Sequence, residues 1–268
     1  FFLLSFFGSF SADAQVTTIK AWTNEYSGTS TDAETSTYTV PAGSGTNRLL
    51  VVSIATTTQT DGNRTVTLSY GGQALAFASG DMGTNRRHHT AIYYLNEAGL
   101  DAAAAANNST LSVRVQDGTT VLTSASAAVF DYVDQSSPIT DSRNYNTSTD
   151  ATTFSFGTNL NIAAGDQAVL VANSCRVGST TERAFSTYTN FTLANQQNDD
   201  YNTTPNSNDV ATRFGVFYYT TIPTSAITSN CAFVLNGGSY PSMTGISING
   251  CVVPTANAGS ALTAFCKG

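Results

Sequence analysis

Short runs of apolar and β-branched residues, each closed by a cluster rich in Gly, Asn or Asp, fill this chain between residues 15 and 250. That alternation constrains the fold more than any other feature, because strands need it and helices cannot use it. "RLLVVSIA" at 48–55 is almost continuous in Leu, Val and Ile, which predicts a strand buried on both faces. "VTLSY" at 66–70 and "LSVRV" at 111–115 alternate apolar with polar residues, as half-buried strands do. Further strands are predicted at 90–95, 126–133, 152–156, 167–174, 213–219, 231–235 and 245–250, with "GGQ", "QDG", "AAGD" and "NGG" among the turns. The one helix-forming stretch, "LDAAAAANN" at 100–108, is too short to be stable alone and is predicted as a single turn in a connection. "NQQNDDYNTTPNSND" at 195–209 reads as a long polar loop. The expected fold is all-β, a jelly-roll-like antiparallel β-sandwich.

Composition bears on where such a sandwich works. Charged residues are 11% of the chain, well below the usual quarter, and Thr, Ser, Asn and Gly fill the deficit. That surface suits an extracellular protein. Aromatics at 10% argue against a disordered chain. A net charge of −7, with lysines only at 20 and 267, supplies few cations for phosphates, so nucleic acid is not an expected partner. The opening "FFLLSFFGSF", followed by "SADAQ" with Ala12 and Ala14 spaced as A-x-A, has the form of a secretory signal peptide and is too short to span a bilayer. The expected organisation is a cleaved signal peptide at 1–14, a sandwich domain at 15–253, and a linker or the start of a following repeat at 254–268. The mature chain would carry no membrane span.

Export makes cysteines candidates for disulfides. Cys231 and Cys251 flank a segment whose midpoint is the turn-rich "GGSYPS". A hairpin there would set them opposite one another, so a Cys231–Cys251 disulfide is predicted. Cys175 and Cys266 remain, to pair together or, for Cys266, with a partner further along the chain.

Catalytic motifs are absent from the sequence. His88 and His89 are adjacent, and neighbours on a strand point to opposite faces, which keeps them from one metal or one triad. There is no H-E-x-x-H, no G-x-S-x-G and no glycine-rich phosphate loop. Enzymatic activity is not expected, although a pair of distant carboxylates acting on polysaccharide would leave no trace in sequence. Binding is better provided for. Arg86, Arg87 and His88 at a sheet rim, with Tyr93 to stack on a sugar ring, are candidate ligand residues, though alternation sends one of Tyr93 and Tyr94 into the core. Asp199, Asp200 and Asp209 offer the hard oxygen ligands that Ca²⁺ takes, in a spacing unlike an EF-hand loop. No other cofactor is expected.

Four segments in order, "NRLLVVSIA" (47–55), "VTLSYGGQALAF" (66–77), "IYYLNEAGL" (92–100) and "VFDYVDQSSPI" (129–139), resemble a jelly-roll-like module of large secreted bacterial surface proteins. The likeness covers roughly residues 35–140 and continues more weakly to about 250. The tail "PTANAGSALTAFCKG" is similar to the start of the Ig-like or PKD-like repeats that follow such modules in type IX-secreted adhesins. Two departures stand out: an Ala run where the family has a Pro/Gly-rich turn, and Tyr132 where it has Gly before Val-Asp-Gln. The family has no agreed site residues, so the resemblance assigns none. It implies a secreted, cell-surface, non-enzymatic adhesion or recognition module, with glycans as the leading ligand class. Two alternatives stay open: a self-associating subunit of a surface filament or sheath, joined through an edge strand, and a polysaccharide-acting enzyme.

Overall fold

The computed structural model describes residues 15–29, 34–42, 47–116, 122–177, 183–201 and 210–251. Its first half carries β1 (Thr17–Thr29), β2 (Glu34–Thr37), β3 (Leu49–Gly62), β4 (Thr65–Tyr70), β5 (Gln73–Ala74), β6 (Ala76–Gly80), β7 (Arg86–Leu95), helix α1 (Glu97–Ala105), β8 (Thr110–Gln116) and β9 (Leu122–Asp131). The second half carries β10 (Ile139–Asn146), β11 (Ala151–Phe154), β12 (Leu160–Ile162), β13 (Gln167–Val177), β14 (Phe185–Tyr188), β15 (Phe191–Tyr201), β16 (Val210–Tyr219), β17 (Ile227–Ser229) and β18 (Phe233–Ile248). The protein is an all-β antiparallel sandwich, and among the described residues no helix is long and apolar enough to cross a membrane.

In the first half, β1-β9-β3-β7-β6 form one sheet and β2-β8-β4-β5 the facing one. Most connections pass from one sheet to the other, and the strand order is that of a jelly roll. The second half repeats it. Sheet β10-β18-β13-β16-β15 is faced by β11 and β14, which flank the first residues of β18, with a small β12-β17 ladder nearby. Strand for strand, β10 replaces β1, β13 replaces β3, β16 replaces β7 and β15 replaces β6. The all-β sandwich expected from the sequence is therefore built of two jelly-roll halves. The repetition is faint in sequence: "TSTDA" occurs at 29–33 and again at 147–151, an offset of 118. The same offset relates Val51, opposite Ala128, to Val169, opposite Ile246.

The rolls stack through their larger sheets. Leu49, Val51, Ile92 and Phe130 of the first pack against Val169, Val171, Phe214 and Ile246 of the second. On its other face the first sheet buries Leu50, Val52, Ile54 and Tyr93 against Leu68, Leu111 and Val113. Covered on both sides, β9 is buried at every position, and so is β3 from Leu49 to Thr58, which is why "RLLVVSIA" shows no alternation. Side chains of this size contribute roughly 1.5–3 kcal/mol each when fully buried. Hydrogen bonds reinforce the seam: Asn173 Nδ2 donates to Thr57 Oγ1 at 3.0 Å, and the Thr57 and Thr212 hydroxyls pair at 3.2 Å. Strand β1 touches β15 and β6 touches β10. Since β15 is the counterpart of β6 and β10 that of β1, the two rolls meet as copies do in a two-fold dimer.

The segments that carry the family resemblance converge on α1. Asn96 caps the helix, its side chain accepting from Gly99 N at 3.2 Å. Glu97 accepts from the Arg48 guanidinium, and its backbone N–H donates to Gln135 Oε1 at 2.7 Å. Gln135 Nε2 donates in turn to the carbonyls of Val133 and Arg48. Gly71, at φ +58°, lies against α1, where a Cβ would collide with Ala103 and come 2.7 Å from Asn108 O. Those motifs specify scaffold. The alanine run is a full helix of nine residues, longer than the single turn expected, because this docking surface supplies what an isolated segment lacks.

Two further expectations are corrected. "NQQNDD" is not loop: it pairs with β16 along β15, where a ready strand edge overrides weak β propensity. "GGSYPS" is not a hairpin turn. Strand β18 runs on through it, leaving β14 at Leu235, still paired with β11 at Ser239 and joining β13 from Tyr240 onward. Cys231 and Cys251 thus lie beyond opposite ends of one strand, separated by on the order of 50 Å if it is fully extended. No Cys231–Cys251 disulfide can form. Cys231 and Cys175 are free, buried thiols, each pushed up to about 12 by that burial. Alkylation in denaturant without reductant should label Cys231 completely. A Cys231–Cys251 cross-linked peptide in the digest would contradict the continuous strand. The proposed signal peptide at 1–14 and the tail at 254–268 lie outside the described residues.

Candidate functional site

Beside the end of β3 and the start of β7, a cleft of about 150 Å³ opens at the seam between the rolls. Asp61, Arg86, Arg87 and His88 line it from the first roll, Ser148 and Tyr240 from the second. Strands β3 and β7 pair in step from Leu50–Leu95 to Thr57–His88, then slip before Gly62 meets Arg86. Slips of this kind bend a strand and re-aim its side chains. Here the slip lies where the inter-roll core ends, so charged side chains follow buried ones within a few residues. Opposite, "TSTD" supplies a tight turn after β10, with Thr147 Oγ1 accepting from Thr149 N at 3.1 Å.

His88 and His89 leave β7 on opposite faces, as strand neighbours must. His89 turns into the first roll, its Nδ1 3.0 Å from Asp81 O and its Nε2 3.0 Å from Arg86 O. Burial lowers its pKa, and those carbonyls draw it partly back. His88 turns to the second roll and stacks on Tyr240, with ring centroids 6.1 Å apart and planes 28° from parallel. It is 1% exposed, and neither of its ring nitrogens closes a hydrogen bond. Burial and then the His89 charge push its pKa down to about 3, against weaker pulls from Thr147, Asn146 and Pro241. The cleft therefore holds a neutral imidazole that closes no hydrogen bond, with the Thr147 and Pro241 backbone and the Asn146 side chain beside it.

Asn146 holds the two sides together. Its Nδ2 donates to the Asp81 carboxylate and, at 2.9 Å, to His88 O. Asp81 also accepts from Thr90 N at 2.7 Å, yet burial pushes it up to about 7. Arg87 Nε lies 3.7 Å from Asp61 Oδ1, a loose and half-exposed pair, while Arg86 Nη1 donates to Asn85 O at 3.0 Å. Among the described residues that line the cleft, two guanidinium groups face one carboxylate, so with His88 neutral these side chains carry net positive charge.

Of the candidate ligand residues, Arg86, Arg87 and His88 share this cleft and Tyr93 does not. Tyr93 is buried in the first roll's own core, its ring edge-on to Phe77 at 5.4 Å and its hydroxyl pushed up to about 12 by burial. Asp199 and Asp200 lie on β15, opposite Thr212 and Ala211, while Asp209 falls outside the described residues. Among the described residues no cluster of three or more His, Cys, Asp or Glu is arranged for a metal. Asp61, Ser148 and Tyr240 carried no signal by themselves. The 118-residue repeat was the available one, because two like halves predict a junction and junctions are where clefts form. A larger groove of about 410 Å³, lined by Trp22, Phe130, Gln167, Leu193 and Tyr218, brings together no charged side chain among the described residues. Convergent polar groups single out the smaller cleft. Comparison with family models, with curated proteins and with solved structures finds no match for this chain.

Proposed function

We propose that the chain is an exported recognition module that binds glycan non-enzymatically in the seam cleft, as part of a larger cell-surface protein. The observation that carries this reading is a built polar cleft assembled from both rolls, including a buried imidazole with two unpaired nitrogens. A buried polar group without a partner is costly, of order 1–3 kcal/mol, and is a natural place for a ligand's hydrogen bond. Asp61 and Ser148 provide acceptor and donor capacity for sugar hydroxyls, and Tyr240 an aromatic surface. The extracellular setting rests on the composition and on the form of residues 1–14.

A glycan array probed with the purified chain tests this reading. Ser148 is exposed and Trp there would occupy the cleft without entering a core. A defined set of glycans should be retained by the native chain and lost by Ser148→Trp. Retention of none, or unchanged retention by the variant, would remove the cleft as the binding site.

A further inference from the structure

We infer that the ligand class is acidic saccharide: the cleft takes the carboxylate of a uronic acid residue between Arg86, Arg87 and His88. This inference rests on the glycan reading above and narrows it.

The charge balance comes first. Arg86 and Arg87 bring two permanent cations, and Asp61 offsets one of them through a contact of only 3.7 Å. The pair is half-exposed, at 38% and 55%, so neither charge is committed to the fold. A guanidinium presents parallel N–H donors whose spacing matches a planar carboxylate, which an ammonium cannot imitate. His88 supplies the second and independent observation. Buried, stacked against Tyr240 and part of the cleft lining, it closes no hydrogen bond through either nitrogen, and one of the two carries an N–H in either neutral tautomer. Three donor groups thus line one cleft.

The remaining lining suits the rest of a sugar acid. Asp61 and Ser148 can take ring hydroxyls, and Tyr240 can pack against the C–H face of a pyranose. A volume of about 150 Å³ admits one ring-sized group, well short of the roughly 300–1,000 Å³ of sites for drug-sized ligands. One residue of a longer acidic chain would therefore enter, with its neighbours left outside along the seam.

Titration calorimetry on the full chain distinguishes the outcomes. The probes are oligogalacturonate and oligoglucuronate, the same oligomers carboxyl-reduced to neutral sugars, and sulfated oligosaccharides. Uronate oligomers should bind and their reduced forms should not. Arg86→Gln and Arg87→Gln should each weaken uronate binding about tenfold or more, as loss of a charge-assisted hydrogen bond does. Both positions are partly exposed, so an unchanged melting temperature certifies that each variant is folded. Equal binding of the neutral oligomers, unaffected by either Arg variant, would overturn the acidic class while leaving the glycan reading intact. Binding of sulfated sugars alone would overturn the carboxylate assignment. Binding of no oligosaccharide here and none on the array would overturn both.

Discussion

Phe233→Ala should destabilise the protein by about 4 kcal/mol, the expected range for removing a large buried ring. Phe233 is 1% exposed at the start of β18 and is central to the second roll's outer core. Its ring stacks on Phe154 with centroids 4.8 Å apart, meets Phe217 edge-on at 4.9 Å and tilts against Phe185 at 5.3 Å. Such ring pairs add about 0.5–1.5 kcal/mol each beyond the area they bury. Val234→Ala is the control, since Val234 is 39% exposed on the opposite face of the strand and should change stability by no more than about 0.5 kcal/mol. Urea unfolding of both variants measures the contrast. Equal losses at the two positions would mean that 233–235 does not alternate as a strand, and that β18 is not the single element described.

The same strand shows where sequence reasoning stopped. "CAFVL" at 231–235 and "GISING" at 245–250 were both legible as strand, because their apolar residues report burial directly. "NGGSYPSMT" between them carries every local mark of a turn, and in the first roll the corresponding β8 and β9 are indeed separate strands. In the second roll one strand serves both sheets and bends from one to the other, a way of making sandwich corners that local chemistry does not announce. The buried character of β3 was legible for the opposite reason. A strand covered on both faces must be apolar at every position, and "LLVVSIA" is nearly so. Two-sided burial of one sheet was itself a sign that a second layer lies behind it, and that layer is the second roll.

The cleft was half legible. Arg86, Arg87 and His88 stand together in sequence, and charge next to a strand start is visible without any structure. Their partners Ser148 and Tyr240 come from the other roll, so only the fold could bring them in. Tyr93 was misplaced because Tyr93 and Tyr94 are equivalent until register is known. Pairing Val52 with Tyr93 and Val51 with Tyr94 sends the first into the roll's own core and the second toward the seam. A one-residue difference in register decides which face a side chain takes.

Register also sets the second large effect, the response to acid. His88→Phe should make the protein more stable than the native chain, by a margin that widens as the pH falls. The folded His88 has its pKa pushed down to about 3, whereas in the unfolded chain it titrates near 6.5. Between those values the unfolded state binds a proton that the folded state refuses, so His88 costs stability as pH drops from 6.5 toward 3. By pH 4 that cost amounts to about 3 kcal/mol. Asp81 acts in the other direction. Raised to about 7, it holds a proton in the folded state that the unfolded carboxyl releases, and so adds stability as pH falls from 7 toward 4. His89, lowered by its own burial, sides with His88. The native chain alone would therefore show a muted acid response, and the difference between native and variant isolates the His88 contribution. Urea unfolding of both at pH 7.5 and pH 4 should show the variant's advantage growing by about 3 kcal/mol. A margin independent of pH would mean that His88 is protonated in the fold, against the buried neutral ring described. Phe keeps the stack on Tyr240 but offers no donor, so the same variant should lose uronate binding while gaining acid stability. That pairing separates a ligand group from a packing residue, since a ring retained only for packing would be improved by the change at no loss of binding.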